Sequence, residues 1–262
     1  MTSFAEYSTF YDLFYRDKDY AGEARYISSL INRYRRRAES ILEMGCGTAA
    51  HAVHLAEAGF RIHGIDRSAA MLAVARQRLK DLPQESAERI SLSRGDIRRY
   101  RSRKRFDAVI ALFHVMSYQR SNADLMGAFG TARRHLEPDG IFIFDAWYGP
   151  AVLTERPEVR RRRFEDDSRI VTRIAEPFLH PNENIVEVHY RISAEDKQKG
   201  STAQFEESHF MRYLFHPEVA LMSASSGFDL TAAFAWLTDR KPGFDSWYAC
   251  FVCRKHKDGS PS

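Results

Sequence analysis

The segment Ile41-Leu42-Glu43-Met44-Gly45-Cys46-Gly47 most constrains how this chain can fold. A short apolar run carries one acid and leads into two glycines separated by a single residue, and an alanine-rich stretch follows. Glycine at both positions permits a sharp turn and lets the backbone come close to a ligand. This order predicts a strand, a nucleotide-cofactor loop and a helix at the start of an α/β domain.

Two classes of cofactor fit such a loop, dinucleotides and S-adenosylmethionine. A second apolar run ends in Asp66, an acid suited to accept hydrogen bonds from ribose hydroxyls in either class. Glu43 separates the two, because a carboxylate beside the loop repels a pyrophosphate but favours an amino group and a sulfonium. We therefore predict S-adenosylmethionine as the cofactor. A dehydrogenase is a remote alternative, which titration with NAD(P) would test.

Apolar runs and helical patterns alternate over the first 145 residues and predict a doubly wound parallel sheet. The pattern then changes, from Ala146 to Phe215, to strand-like segments of alternating polarity, with Pro177 interpreted as a joint between two of them. We therefore predict an α/β fold with a Rossmann-like sheet of seven strands and an antiparallel β insert after strand five. The predicted division is an aromatic lid (1–22), a cofactor-binding core (23–150), the insert over the active site (151–216), a C-terminal helix and strands completing the core sheet (217–255) and a disordered tail (256–262).

With these motifs the chain resembles the class I S-adenosylmethionine-dependent methyltransferases over roughly residues 20 to 255. It departs from their commonest pattern at Ala49, where a third glycine is usual. The aromatic segment Tyr11-Asp12-x-x-Tyr15, followed by Lys18-Asp19-Tyr20, resembles the lid of methyltransferases that modify nucleotide-linked deoxyamino sugars of the desosamine and mycaminose type. In that group the lid closes over the cofactor, and aromatic faces also favour a sulfonium cation. A helix that packs its aromatic side chains onto the core is the alternative.

Candidate cofactor residues follow from the resemblance and from the rule that ligands bind at the carboxyl ends of parallel strands. The resemblance assigns Asp96 to the adenine amino group, and Met71 either covers the adenine or belongs to the core. The full predicted set is Tyr11, Tyr20, Glu43, Gly45, Cys46, Gly47, Asp66, Arg67, Met71, Asp96, Ile97, Phe113, His114 and Tyr118.

Candidate catalytic residues are side chains able to take up a proton near neutral pH or to orient an acceptor group. His114 follows the fourth predicted strand and is either a general base or a residue that lines the cofactor with its backbone. His189 and His209 lie on predicted strands of the insert, and Tyr15 lies in the lid. The segment 113–118 lacks the Asn/Asp-Pro-Pro-aromatic motif of methyltransferases that act on nucleobase amino groups, which weighs against such substrates.

The composition limits the kinds of partner that this protein is expected to bind. The net charge of +4 comes with basic residues in short clusters interrupted by acids, which indicates solvated faces rather than one nucleic-acid surface. No run approaches the ~20 apolar residues of a membrane span, and the first 20 residues do not resemble a signal peptide. Cys250 and Cys253 fall on opposite faces of a predicted strand, so no metal site is expected. We predict a cytoplasmic monomer or homodimer.

These observations predict a methyltransferase for a small polar metabolite, most specifically N- or O-methylation of a nucleotide-linked amino sugar or a natural-product intermediate. Arg160 to Arg163 and Arg169 are candidates to meet a diphosphate. A methyltransferase for RNA or protein, and a non-catalytic S-adenosylmethionine-binding protein, are the alternatives.

Overall fold

The computed structural model describes residues 10–257, so Tyr7 of the predicted lid and residues 258–262 of the predicted tail lie outside the described residues. Its strands are β1 (Ser40–Met44), β2 (Arg61–Asp66), β3 (Ile90–Arg94), β4 (Phe106–Ala111), β5 (Leu136–Tyr148), β6 (Arg160–Glu165), β7 (Arg169–His180), β8 (Ile185–Asp196), β9 (Thr202–Leu214), β10 (Phe228–Ala235) and β11 (Tyr248–Lys255). Its helices are α1 (Tyr20–Tyr34), α2 (Ala50–Glu57), α3 (Ala69–Lys80), α4 (Gln84–Glu88), α5 (Asn122–His135), α6 (Gly149–Thr154) and α7 (His216–Ser225). Residues 10–14 are also helical.

The parallel part of the sheet has the strand order β3-β2-β1-β4-β5. β11 pairs antiparallel with β5, and β10 pairs antiparallel with β11. The predicted α/β class is confirmed. Because the strand order reverses between β1 and β4, a crevice opens at the carboxyl ends of these two strands, where ligands bind in doubly wound sheets. The glycine loop lies at this crevice, directly after β1.

Helices cover both faces of the parallel strands and bury two separate apolar clusters. One cluster is rich in phenylalanine and includes Phe129, Phe142 and Phe144, while the other contains Ile27 and Ile110 beneath the N-terminal helices. Fully burying a side chain of this size stabilises a fold by about 1.5–3 kcal/mol. The two faces also divide the cysteines of β11, since Cys253 belongs to the first cluster and Cys250 to the second.

Strands β6 to β9 form an antiparallel unit between β5 and α7, and β9 joins the main sheet through two pairs with the end of β5. The resulting sheet has eleven strands rather than seven. The arginine cluster at 160–163 is exposed and forms most of β6. One detail differs from expectation, since Pro177 is not a joint but lies inside β7. Proline is tolerated there because β6 begins opposite Ala175, so the part of β7 after Ala175 has a partner strand on one side only.

Among residues 10–257, no helix is long and apolar enough to cross a membrane.

Candidate active site

A cavity of about 520 Å³ lies between the carboxyl ends of the parallel strands, the N-terminal aromatic segment and the insert. This volume is in the range of small-molecule binding sites. The predicted site residues that line it are Tyr11, Tyr15, Tyr20, Gly45, Cys46, Asp66, Arg67, Met71, Asp96, Ile97, Phe113, His114, Tyr118 and His209. Glu43, Gly47 and His189 are not among the lining residues.

The two loop glycines are required for different reasons. Gly45 has a φ of +74°, and a Cβ atom there would lie 2.6 Å from a methyl carbon of Val115. Gly47 has a φ of +53°, and a Cβ atom there would meet nothing within 4 Å. Gly45 therefore lets the loop after β4 approach, whereas Gly47 leaves open space above the loop. Ala49 also adopts a left-handed φ, of 61°, so the position where the family usually has glycine keeps a glycine-like backbone.

Glu43 lies beneath the cavity rather than in its wall. Its side chain is 2% exposed, its Oε1 is 3.9 Å from His51 Nδ1, and its Oε2 has no hydrogen-bond partner among residues 10–257. Burial, with the nearby Asp66, raises the pKa of Glu43 to about 8. The carboxyl group is thus mainly protonated at neutral pH, which corrects the expectation of an anion exposed to the crevice. A cationic amino group brought to this loop by a cofactor would favour the charged form of this carboxyl group.

Asp66 ties the glycine loop to the start of the next helix. One carboxylate oxygen accepts from the Gly47 backbone N–H at 3.0 Å, and the other accepts from the Ser68 N–H at 2.8 Å. Burial raises the pKa of this carboxyl group, while both N–H groups favour its charged form. A carboxylate has about four lone-pair sites. Acceptor sites therefore remain for ligand hydroxyls, which suits a ribose.

Asp96 forms an ion pair that the sequence did not reveal. Arg98 Nε and Nη2 contact both of its oxygens at 2.6–3.1 Å, and Arg98 Nη1 also contacts Asp124 at 2.9 Å. The Arg98 hydrogen bonds lower the pKa of Asp96 to about 2 against the effect of burial. Asp96 is therefore ionised throughout the physiological range, and it lines the cavity together with Met71 and Ile97.

The N-terminal aromatic segment is fastened to the cofactor loop through Asp12. One carboxylate oxygen of Asp12 accepts from Thr48 Oγ1 at 3.0 Å, and the other contacts Arg78 at 2.8 Å. Tyr15 then lies against the edge of the Phe113 ring, with 4.9 Å between ring centroids. Thr48 and Asp12 were not predicted as a pair, since 36 residues separate them along the chain.

A second fastening is a buried charge network at the end of this segment. Lys18 forms an ion pair with Glu23 and lies 4.6 Å from the Phe113 ring centroid. Glu23 Oε2 is 2.6 Å from His51 Nε2, and His51 lines the cavity. Glu23 has a pKa lowered to about 2, because its contacts with His51 and Lys18 outweigh the raising effect of burial. The segment therefore closes one wall of the cavity with charge as well as aromatic contact.

His114 is held by a fully buried acid. Its backbone N–H donates to the Asp145 carboxylate at 3.1–3.2 Å, and its Nδ1 lies 2.5 Å from Asp145 Oδ2 without the alignment of a hydrogen bond. The imidazole also stacks on Tyr248, with 4.3 Å between ring centroids. Phe113 and His114 both have left-handed φ angles near +60°, a strained pair that turns the imidazole towards the cavity. Asp145 was not among the predicted site residues, although an acid within the apolar run of β5 was a feature of the sequence that could have indicated it.

The two insert histidines predicted as catalytic, His189 and His209, lie on opposite faces of the sheet. His209 lines the cavity, where its Nδ1 is 2.9 Å from the Tyr118 hydroxyl, and its Nε2 is 3.1 Å from Glu207. His189 instead contacts Ser208 on β9 and is one-third exposed. The structure thus brings His209, but not His189, to the site. His209 pairs with Val188 rather than with His189, so the two histidines point to opposite faces of the sheet. A shift of one residue in strand register would reverse this arrangement.

The arginines of β6 are also divided between faces. Arg161 and Arg163 line a shallow depression with Thr172 and Glu195. Arg160 and Arg162 share the opposite face with Phe164, which packs with Tyr15 and Tyr190 of the cavity wall. Arg169, predicted as a diphosphate contact, already pairs with Asp166 at 3.6 Å.

A methyltransferase domain model matches residues 41–140 of this chain. The chain is 32% identical over 216 residues to dTDP-3-amino-3,4,6-trideoxy-alpha-D-glucopyranose N,N-dimethyltransferase of Streptomyces venezuelae, covering 80% of this chain and 84% of that protein. It is 31% identical to dTDP-3-amino-3,6-dideoxy-alpha-D-glucopyranose N,N-dimethyltransferase of Streptomyces fradiae, covering 78% and 76%. The crystal structure of Streptomyces venezuelae DesVI superimposes with a TM-score of 0.78 at 26% identity, covering 95% of this chain and 98% of that one.

Proposed function

This chain belongs to the family of S-adenosylmethionine-dependent methyltransferases, and we propose that it methylates the amino nitrogen of a nucleotide-linked amino sugar. The observation that carries the proposal is the agreement over most of the chain with two enzymes named for dTDP-amino sugars. The agreement extends to the insert, because the DesVI structure matches 95% of this chain. Since the insert supplies one wall of the cavity, the likeness covers the part of the molecule that would meet the substrate.

S-adenosylmethionine, when bound, supplies an electrophilic methyl group attached to a sulfonium. We assign the loop Gly45 to Gly47 to its amino-acid end, Asp66 to its ribose and Asp96 to its adenine amino group. Tyr11 and Tyr20 would close over it and exclude water. Three observations support this assignment. Asp66 has free acceptor sites, one oxygen of Glu43 has no hydrogen-bond partner among residues 10–257, and there is open space above Gly47.

The catalytic contribution of the protein is mainly alignment and proton handling. Holding an amine in line with a methyl group can lower a barrier by ~7–11 kcal/mol. The imidazole of His114, kept in place by Asp145 and Tyr248, would orient the amine by accepting a hydrogen bond from it. Tyr15 also lines the cavity and would orient a sugar hydroxyl.

Arg160 and Arg162 are the arginines that we assign to the diphosphate of the substrate. They share a face of the insert with Arg173, which lies directly opposite Arg162. Like charges in opposite positions destabilise a sheet, so a cluster of this kind suits a site that receives an anion. Neither Arg160 nor Arg162 has a carboxylate within ion-pair distance in the part of the chain that the structure describes. Their charge lies near enough to Tyr248 to oppose the raising of its pKa by burial.

The division into an N-terminal lid, a cofactor core, an insert and a C-terminal completion of the sheet is part of this proposal. The lid and the insert would be the substrate-binding parts, and the seven strands β3-β2-β1-β4-β5-β11-β10 the cofactor-binding part. Cytoplasmic location, absence of nucleic-acid binding and a monomeric or homodimeric state stay predictions from the sequence.

The test is an assay with S-adenosylmethionine and synthetic dTDP-3-amino or dTDP-4-amino deoxysugars, with products identified by mass spectrometry. We expect a mass gain of one or two methyl groups and loss of both when the 3-amino group is replaced by hydroxyl. A cofactor-bound protein that methylates none of these sugars would contradict the proposal. Salt-dependent gel shifts with structured RNA would then support the RNA alternative, and cofactor binding without turnover on any acceptor would support the non-catalytic one.

A further inference from the structure

Glu207 is a buried acid for which the assignments above give no use. Its side chain is 2% exposed, and neither of its oxygens has a hydrogen-bond partner among residues 10–257. The imidazole of His209 lies beside it, with Nε2 3.1 Å from Oε1 but without the alignment of a hydrogen bond. Removing a carboxylate from water costs several kcal/mol, which a single contact of this kind does not repay. Its position therefore indicates a role in chemistry rather than in stability.

The contact continues from Glu207 to the cavity. The other ring nitrogen of His209 lies 2.9 Å from the hydroxyl of Tyr118, and His209 and Tyr118 both line the cavity. Burial raises the pKa of Tyr118 well above its ordinary value, so its phenol stays protonated. A neutral phenol can donate one hydrogen bond and accept another. Tyr118, His209 and Glu207 thus form a continuous row of proton-exchanging groups that starts at the cavity and ends at a buried acid.

Methylation of an amine produces protons that the site must remove. The nitrogen lone pair forms the bond to the methyl carbon while the carbon–sulfur bond breaks and its electrons stay on sulfur. The product nitrogen is then a cation, and it must release one proton before its lone pair can attack a second methyl group. An enzyme that adds two methyl groups to one nitrogen therefore needs a proton acceptor between the two transfers.

We propose that Tyr118, His209 and Glu207 form the path that takes this proton from the substrate nitrogen, with Glu207 as a positioning residue. The proposal rests on the proposed function, because it needs an amine substrate. Tyr118 faces the nitrogen, His209 receives the proton, and the carboxylate of Glu207 orients the imidazole and stabilises its charged form. The row is separate from the contact between His114 and Asp145, which approaches the cavity from the parallel sheet.

The same strands carry a matched control on their other face. His189 lies 3.5 Å from Glu206 and contacts Ser208, but His189 and Glu206 are solvent-accessible and neither lines the cavity. The variants E207Q and H209Q can therefore be compared with E206Q and H189Q. Each pair changes the same residue types on β8 or β9, so effects of composition and of strand stability are matched.

In steady-state assays with a dTDP-amino sugar, H209Q should lower kcat by about 100-fold, in the range of general-base catalysis. E207Q should lower kcat by about tenfold and accumulate the monomethylated product. It should also shift the acidic limb of the kcat–pH profile to lower pH, because the carboxylate that stabilises the imidazolium is removed. The affinity for S-adenosylhomocysteine should be unchanged in both. E206Q and H189Q should behave as wild type in every measurement.

Added imidazole should restore part of the activity of H209A, whereas a purely structural role would not respond to a free base. The proposal is overturned if E207Q lowers both methylation steps equally at all pH values, or if E206Q and H189Q match E207Q and H209Q. A measurement without substrate separates this proposal from the proposed function. Proton NMR should show a ring N–H resonance of His209 that E207Q shifts and E206Q leaves in place, because the Glu207 carboxyl group lies 3.1 Å from Nε2. If wild type lacks this resonance, the proposed proton path is wrong whatever the substrate. If the resonance is present but the protein is inactive on amino sugars, only the substrate assignment is wrong.

Discussion

The cofactor side and the insert side of the cavity are built by different means. On the cofactor side, the loop from Gly45 to Gly47 contributes backbone conformation and open space, and Asp66 follows a neighbouring strand. On the insert side, every contribution is a side chain whose direction depends on strand register, such as His209 or Arg162. A site made from a local turn therefore tolerates changes in distant structure, whereas a site made from alternate strand residues depends on strand pairing.

The strongest test of this difference substitutes one glycine on each side. G45A places a methyl group 2.6 Å from Val115 at a positive φ, which adds overpacking of about 1–3 kcal/mol to a left-handed penalty of about 1–2 kcal/mol. We expect calorimetry to show at least a tenfold loss of S-adenosylhomocysteine affinity, with a lower Tm. The control is G200A in the β8–β9 turn, which has a φ of +65° and open space, and should retain affinity. Equal affinity loss in both variants would contradict the local character of the cofactor side.

A second test addresses the acid beneath His114. D145N keeps the shape of the side chain but removes the charge that holds the imidazole at 2.5 Å. We expect kcat to fall by about 100-fold with little change in S-adenosylhomocysteine affinity. Stopped assays and calorimetry on the same preparation measure both quantities. A wild-type kcat in D145N would show that His114 contributes only its backbone, the alternative that the sequence left open.

A third test concerns the faces of β6 on the insert side. The double variant R160A/R162A should raise KM for the nucleotide-linked sugar by about tenfold, which is close to the lower limit of ~1.5 kcal/mol for a hydrogen bond to a charged group. It should also reduce the dependence of KM on salt. R161A/R163A removes the same charge from the opposite face and should leave KM unchanged. Equal effects of the two double variants would mean that β6 acts only through net charge.

The smallest expected effect is a pH dependence on the cofactor side. Because burial raises the pKa of Glu43 from 4.5 to about 8 in the folded protein, its contribution to stability is full below about pH 4.5. It is lost as the pH rises towards 8, where the buried group must ionise. We expect E43Q to gain Tm relative to wild type between pH 5 and 8 by a few degrees, measured by thermal melting without cofactor. E206Q, which removes an exposed carboxylate, should show no such trend.

The sequence was sufficient for the cofactor side and insufficient for the insert. Gly45, Asp66 and Asp96 could be placed because turn conformation and the ends of parallel strands leave recognisable local patterns. The contact of Asp145 with His114 was not predicted, because Asp145 lies in an otherwise apolar strand. The ion pairs of Arg98 were not predicted either, because Asp96 and Asp124 come together only in the folded chain. Pro177 was misassigned for a similar reason, since only the neighbouring strand shows where an edge begins.

The class of fold and the cofactor could be predicted from residues close together in the chain, and the glycine loop could be proposed as the cofactor site in the same way. Strand pairing was needed to establish that His209 and not His189 lines the cavity and which arginines of β6 share a face. Packing likewise established that Glu43 is buried beneath the cavity. The physical reason is the two-residue period of a strand. The alternation of side chains along a strand is the same whichever face is buried. Only pairing with distant strands selects the face that points into the cavity.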